Sequence, residues 1–312
     1  MTSSQKHTFT ITGQKSYTFT YPDDRIGEGS MATIYKAKSN ENLTVALKVL
    51  RSNNVRPVTL DLWKNNANFR LQHINLMQVY EEIIQNGKRH IVLEYIDGLD
   101  YEKQFDSFRI DEHLKILKQI LNGLKGLHQN SYIHRDIKPS NILIENGASL
   151  FTKIIDYDLV MHKDTKLDHF VGTLKYASPE SIRLESIDVR ADLWSVGIIL
   201  FRIFNNGRFP FGGESSTEIL NEIKSGEYHH GSYGKNAKNI KAILNKSLDY
   251  NLSNRYQNVD ELIEDIANIG RQNFITRVIN YLNDNDLFGK IAKSVIVLLI
   301  LILLLLLLIL EL

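Results

Sequence analysis

Two short stretches of the chain gather oxygen-bearing side chains. His134-Arg135-Asp136-Ile137-Lys138-Pro139-Ser140-Asn141-Ile142-Leu143 supplies Asp136 and Asn141, and Ile155-Asp156-Tyr157-Asp158 adds Asp156. Separately placed carboxylate and amide oxygens suit a hard cation such as Mg2+, and a carboxylate beside that cation can orient a hydroxyl nucleophile. Upstream, Ile26-Gly27-Glu28-Gly29-Ser30-Met31-Ala32-Thr33-Ile34 holds two glycines that let backbone pass close to a ligand, with amides free to face phosphate oxygens. The residues that follow alternate as a strand rather than opening a helix, which argues against a dinucleotide-binding unit. Lys48 lies in the apolar strand Val45-Ala46-Leu47-Lys48-Val49-Leu50. It is either a lysine snorkelling from an edge strand or a cation held over nucleotide phosphates.

These residues must be positioned by two kinds of element. In the first third, HTFTIT and SYTFTY flank one turn, TIYKAK and VALKVL a second, and QVYEEII and HIVLEYI a third. That is the alternation of antiparallel hairpins. Past Asp111 the apolar period lengthens to three or four in HLKILKQILNGLKGLH, DLWSVGIILFRIF and NVDELIEDIANI, which predicts helices. The fold class expected is α+β, a small sheet-rich lobe followed by a larger helical lobe.

Composition narrows the chemistry further. The 312 residues include no cysteine, which excludes disulfide frameworks, zinc–thiolate sites and cysteine nucleophiles. Lys plus Arg (37) against Asp plus Glu (36) leaves a net charge of +1, so no bulk basic field attracts nucleic acid. The start of the chain holds no signal-peptide run. Val295 to Leu310 is uninterrupted aliphatic sequence and, with Ile291 and Ala292, reaches the length of a bilayer span. Lys290 and Lys293 flank its amino side, so the charge bias predicts a single-pass carboxyl-terminal anchor at 291–310 with the rest of the chain cytoplasmic. The span lacks the small-residue spacing of tight helix pairs and leaves dimerisation open.

In order and spacing these motifs resemble the protein kinase superfamily, and most closely its bacterial eukaryotic-like (Hanks-type) serine/threonine members. HRDxxxxN is matched at each fixed position, VALK stands for the family's VAIK, and GEGSMA stands for its glycine-rich loop. Gly172-Thr173-Leu174-Lys175-Tyr176-Ala177-Ser178-Pro179-Glu180 resembles the end of an activation segment, with SPE for APE, and Asp192-Leu193-Trp194 resembles the start of the central C-lobe helix. The resemblance covers residues 20–268. It implies a bilobal kinase fold, with an N-lobe at 20–96 and a C-lobe at 97–268. Residues 1–19 are an extension that adds a hairpin strand, 269–290 a juxtamembrane stalk, and 291–310 the transmembrane helix.

The resemblance also implies roles. Asp136 would orient the acceptor hydroxyl and take its proton, Lys138 would neutralise the transferring phosphoryl, Asn141 and Asp156 would hold Mg2+ or Mn2+, and Lys48 would grip the α- and β-phosphates of ATP. Gly27, Glu28, Gly29 and Ser30 would cover the phosphates. Ile26, Ile34, Ala46 and Leu143 would sandwich adenine, backbone groups of Glu94 and Ile96 would bind its edge, and Leu93 would be the gatekeeper. Arg135 would bind a phosphate on the activation segment, with Thr165 the candidate acceptor and Asp164 or Asp168 able to mimic it. Thr173 would be a structural hydroxyl, Asp192 would be a structural residue of the central C-lobe helix, and Arg255 would pair with Glu180. Lys138 favours serine or threonine acceptors. His229 and His230 lack a partner ligand spacing and read as a solvated loop.

Three departures stand out. Ala32 replaces the third loop glycine. Asp158 replaces the glycine of DFG, where a Cβ restricts a backbone that must flip. The helix glutamate that should pair with Lys48 is missing: counting back from His73-Ile74-Asn75-Leu76 its position holds Lys64, and Asp61 is the sole acidic residue between Glu41 and Glu81. Three outcomes follow: Asp61 substitutes, another group positions Lys48, or the pair is absent. The functional expectation is a membrane-anchored protein serine/threonine kinase using MgATP and able to phosphorylate itself; the alternative is a nucleotide-binding pseudokinase acting as a tethered scaffold. A small-molecule kinase is disfavoured because the segment Gly172 to Glu180 is present in full.

Overall fold

The computed structural model describes residues 6–53, 55–67, 72–147, 149–163, 165–225, 228 and 237–269. The chain forms two units, 1–263 and 264–312, and the described residues of the second, 264–269, are helical. No helix among the described residues is long and apolar enough to cross a membrane. The predicted span 291–310, the stalk residues 270–290, Asp164, His229 and His230 lie outside the described residues.

The first unit opens with a curled antiparallel sheet. Its strands are β1 (His7–Thr12), β2 (Ser16–Tyr21), β3 (Arg25–Glu28), β4 (Ala32–Ser39), β5 (Thr44–Leu50), β6 (Val79–Gln85) and β7 (Lys88–Glu94). Helix α1 (Pro57–Ala67) is inserted after β5. The order is β1-β2-β4-β5-β7-β6, with β3 on β4. Threonines and aromatics favour the pleated β1–β2 pair, whose Thr8/Thr20 and Thr10/Thr18 hydroxyls meet across it at 3.3 Å. Gln85 bonds both the Thr12 N–H (2.8 Å) and the Thr10 carbonyl (3.0 Å), so β1 reaches β6 and curls the sheet toward closure. Inside pack Tyr17, Phe19, Tyr35, Val45, Leu47, Ile83 and Val92. All three hairpins predicted from alternation are present.

The strands β8 (Gly98–Asp100), β9 (Tyr132–Ile133), β10 (Ile142–Glu145), β11 (Thr152–Ile154), β12 (Met161–His162), β13 (Thr165–Lys166) and β14 (Ser186–Ile187) form small sheets around the segments that carry Asp136 and Asp156. The helices are α2 (Ile110–Gln129), α3 (Pro179–Ile182), α4 (Arg190–Phe204), α5 (Ser216–Ser225) and α6 (Ala237–Ser247). Glu112 in the first turn of α2 reaches back to the Arg109 N–H (2.9 Å), and one face buries Leu114, Leu117, Ile120, Leu121, Leu124 and Leu127. Helix α4 is buried on nearly every side, as its largely apolar sequence requires, and its buried Asp192 and Arg202 are both hydrogen-bonded. It packs closely on α6, since a Cβ on Gly197 would come within 2.7 Å of the Ser247 side chain.

Candidate functional site

Strand β5 carries Lys48 opposite Ile34 of β4 and Ile91 of β7, with its side chain only 9% exposed. Burial alone would depress the ammonium. Two carboxylates outweigh it, Asp156 Oδ1 at 3.0 Å and Asp158 Oδ1 at 2.6 Å, and hold Lys48 above the ordinary lysine value. Burial pushes both carboxyls up. At Asp156 the Lys48 charge prevails and the net shift is downward, whereas at Asp158 burial and the neighbouring Asp156 leave it raised. Asp158 also meets α1, because its carbonyl accepts from Arg56 Nη2 and, at 3.4 Å, from the Thr59 hydroxyl. Lys64 is exposed, and Asp61 accepts a hydrogen bond from the Tyr132 hydroxyl instead. Of the three outcomes left open by the sequence, another group holds Lys48, and that group was read only as a backbone restraint. Asp158 takes no positive φ, so its Cβ meets no strain in this conformation; the left-handed residues of these loops are Arg135 (φ 70°) and Asp156 (φ 66°).

The catalytic loop assembles a second cluster. Asp136, buried among its neighbours, accepts Lys138 Nζ (2.7 Å) and Asn141 Nδ2 (2.9 Å) at Oδ2, and the Thr173 hydroxyl (2.9 Å) at Oδ1. Lys138 Nζ also donates to Thr173 Oγ1 at 2.8 Å, so Thr173 belongs to this cluster itself. The loop is held from below by Asp192 of α4, fully buried, which accepts the His134 and Arg135 backbone N–H groups (2.9 Å each) and His128 Nε2 (2.8 Å). Burial would raise this carboxyl, and those donors hold it below the usual range.

Between the sheet and the helical part lie the residues expected to hold a nucleotide. Ala46, Leu93 and Ile96 are buried, Ile34 and Leu143 half-buried, and Ile26 half exposed. The Glu94 N–H goes to the Gln78 carbonyl (2.9 Å), and its carboxylate pairs with Lys153 (2.8 Å). Gly27 and Gly29 have no positive φ, and a Cβ on either would meet nothing closer than 3.6 Å, so within the chain itself no crowding demands them. Glu28 points to Arg25 and Arg51. The first residue of β4 is Ala32, buried, with its carbonyl accepting the Gly29 N–H at 2.9 Å, so a methyl is accommodated there.

A separate cavity of about 460 Å3 lies against α1, lined by Ser30, Arg56, Arg135, Asp158, Asp168 and His169 among others. Burial and the neighbouring Arg56 charge lower Arg135 to about 10, against the pull of Asp192 and Asp168. Thr165 begins β13 and pairs with Ile187 of β14. Further out, Arg255 Nη1 meets Glu180 Oε1 at 3.0 Å, both side chains about 1% exposed.

The donor set suits a divalent cation. Asn141 spends its amide nitrogen on Asp136, leaving its carbonyl oxygen, and Asp156 keeps a carboxylate 39% exposed and biased to the ionised form. Among the described residues no group of three or more His, Cys, Asp or Glu forms a metal cage, so such a cation would take further oxygens from water or a bound phosphate.

Comparison with known proteins agrees with this geometry. The protein kinase domain family matches residues 21–272. A protein of Clostridium perfringens named as a probable serine/threonine-protein kinase is 28% identical over 286 residues, covering 87% of this chain and 41% of the relative. Calcium-dependent protein kinase 4 of Plasmodium falciparum is 33% identical over 204 residues, 62% of this chain and 38% of its own. A probable serine/threonine-protein kinase PknB of Lactococcus lactis is 29% identical over 258 residues, 78% of this chain and 40% of its own. The chain spans about two fifths of the length of these curated relatives.

Proposed function

The chain belongs to the protein kinase domain family, and from that premise we propose that it transfers the γ-phosphoryl group of ATP to serine and threonine hydroxyls of proteins, its own included. The observation that carries this reading is the Asp136 cluster. Its carboxylate is fixed at both oxygens by Lys138, Asn141 and Thr173, an arrangement that presents one oriented acceptor to an incoming hydroxyl. Asp136 takes the hydroxyl proton as the acceptor O–P bond forms and the bond from the γ-phosphorus to the β,γ-bridging oxygen breaks, ADP leaving, and Lys138, on the same carboxylate, faces the charge that develops on the transferring group. Asn141 and Asp156 would hold Mg2+ or Mn2+, which shields phosphate charge when bound. Lys48, buried on β5 beside Asp156, would grip the α- and β-phosphates. Serine and threonine acceptors are favoured by Lys138 and by the names of the bacterial relatives.

The test is phosphate transfer from labelled ATP by the full chain and its Asp136→Asn variant, with the product sites identified by mass spectrometry. The expected result is phosphoserine or phosphothreonine, reduced about 10²- to 10⁴-fold in the variant. Nucleotide binding without transfer sinks this reading in favour of a nucleotide-binding scaffold, the second reading. That alternative is favoured by one observation: the carboxylate on Lys48 comes from Asp158 rather than from α1.

The aliphatic run at 295–310, within the expected span 291–310, supports a further proposal, a carboxyl-terminal membrane anchor with the kinase domain on the cytoplasmic side and protein substrates met at that surface. Carbonate extraction of the full chain against a chain ending at residue 289 tests it. Retention of both in the supernatant overturns it.

A further inference from the structure

Lys48 is the phosphate-site residue whose helix partner is absent from the sequence, and the structure shows what occupies its ammonium. Asp158 Oδ1 lies closer to Nζ (2.6 Å) than Asp156 Oδ1 does (3.0 Å), and its side chain is the more enclosed, 15% exposed against 39%. The same residue receives, at its carbonyl, Thr59 of α1 and Arg56 immediately before that helix. Asp158 thus reaches strand β5 with its carboxylate and helix α1 with its backbone. A glutamate borne on α1 would join the same two elements. Asp156 is poorly suited to the task, since a carboxylate that serves a divalent cation turns its lone pairs toward the metal, and Lys48 then needs a second anion to hold its place.

We propose that Asp158 is the positioning residue for Lys48, holding its ammonium in register for the phosphates of the nucleotide in place of a helix glutamate. The proposal rests on the kinase reading and deepens it. It turns what looks like damage to the DFG motif into compensation for the loss at Lys64.

The experiment compares affinities of the full chain for MgATP and for adenosine by isothermal titration, in the parent and in the Asp158→Asn and Asp158→Gly variants. Adenosine has no phosphate, so its affinity reports the slot and the fold, whereas the ATP-to-adenosine ratio reports Lys48. The expected ratio falls about tenfold in both variants, with adenosine affinity held within about twofold and KM for ATP rising by a similar factor. An unchanged or increased ratio in Asp158→Asn overturns the proposal, and so does a parent that binds ATP no better than adenosine. Should glycine also lower adenosine affinity, the near-isosteric asparagine decides. A parent that discriminates ATP from adenosine but transfers no phosphate sinks the kinase reading alone, and the ratio in the variants still decides the role of Asp158.

Discussion

Two buried ion clusters join segments far apart in the chain, and they differ in charge balance. Arg255 and Glu180, 75 residues apart, form a one-to-one pair with both side chains about 1% exposed. The guanidinium is also satisfied by the Asp249 carbonyl (2.6 Å) and the Tyr250 carbonyl (3.3 Å), and it stacks 4.6 Å over the Trp194 ring. Lys48 instead faces two carboxylates, 108 and 110 residues away, on a side of the molecule that stays partly open. The first cluster is closed and neutral: Glu180 Oε1 holds the guanidinium, and although Glu180 Oε2 is buried without a hydrogen-bond partner among the described residues, no solvent reaches it. The second sets two carboxylates against the Lys48 ammonium, with Arg56 on the Asp158 carbonyl, and keeps an exposed oxygen, the condition of a site that awaits a cation and its polyphosphate.

Breaking the closed pair gives the largest effect on folding. Arg255→Ala strands a buried carboxylate and is expected to cost about 3–5 kcal/mol. Urea unfolding followed by fluorescence of Trp63 and Trp194 measures it. Removing Glu180 as well should recover at least about 1 kcal/mol, because the stranded charge goes with it. A cost below about 1 kcal/mol for the single variant would mean that the pair is not sealed, and the contrast would collapse.

A third buried group serves as a pH reference for both clusters. His113, packed among Tyr101, Phe105 and Phe108 and bonded to the Tyr101 hydroxyl, is lowered from 6.5 to about 4 by burial, against the pull of Glu112 and Asp106. A depressed base binds fewer protons in the folded than in the unfolded chain. Its contribution is therefore fully present above pH 6.5 and lost as pH falls toward about 4. The loss expected across that window is on the order of 3 kcal/mol. Unfolding curves at stepped pH should show this slope in the parent and a flatter one in His113→Phe; equal slopes would assign the window to one of the ion clusters instead.

The open cluster should show the opposite economy. Asp158→Asn leaves Lys48 one carboxylate, Asp156, so the buried charges balance. Stability should hold or rise, by no more than about 1 kcal/mol, while phosphate discrimination falls. A thermal-denaturation midpoint lowered by several degrees would show Asp158 to be a structural residue of the closed type.

What the sequence made legible follows the same division. The Asp136 cluster was readable because Lys138 and Asn141 lie two and five residues from Asp136 in one loop, so spacing carries the geometry. The hairpins were readable because alternation is local. Lys48 was readable as a cation in an apolar strand, but its counterion was not. Spacing says nothing of contacts between residues more than a hundred positions apart, and Asp158 was weighed for its Cβ rather than its charge. The hydroxyl of Thr173 meets Asp136 across 37 residues, a contact that spacing within one loop does not reveal. The signal that could have found Asp158 was a charge tally: one acidic residue missing from a helix, one gained two positions after Asp156.

The smallest effect tests that tally from the other end. Motif register puts Lys64 where a glutamate would pair with Lys48, so a reading based on sequence alone expects Lys64→Glu to restore the pair and raise activity. The structure expects almost nothing. Lys64 is exposed on α1, and the contacts toward Asp158 come from Thr59 of that helix and from Arg56 just before it. A charge reversal at an exposed helix position changes stability by no more than about 0.5 kcal/mol, and the ATP-to-adenosine ratio should stay within about twofold. If Lys64→Glu instead rescued the ratio in an Asp158→Gly background, α1 would be able to turn its exposed face inward. The open cluster would then have two interchangeable counterions, one on each side of Lys48, where the closed pair has one.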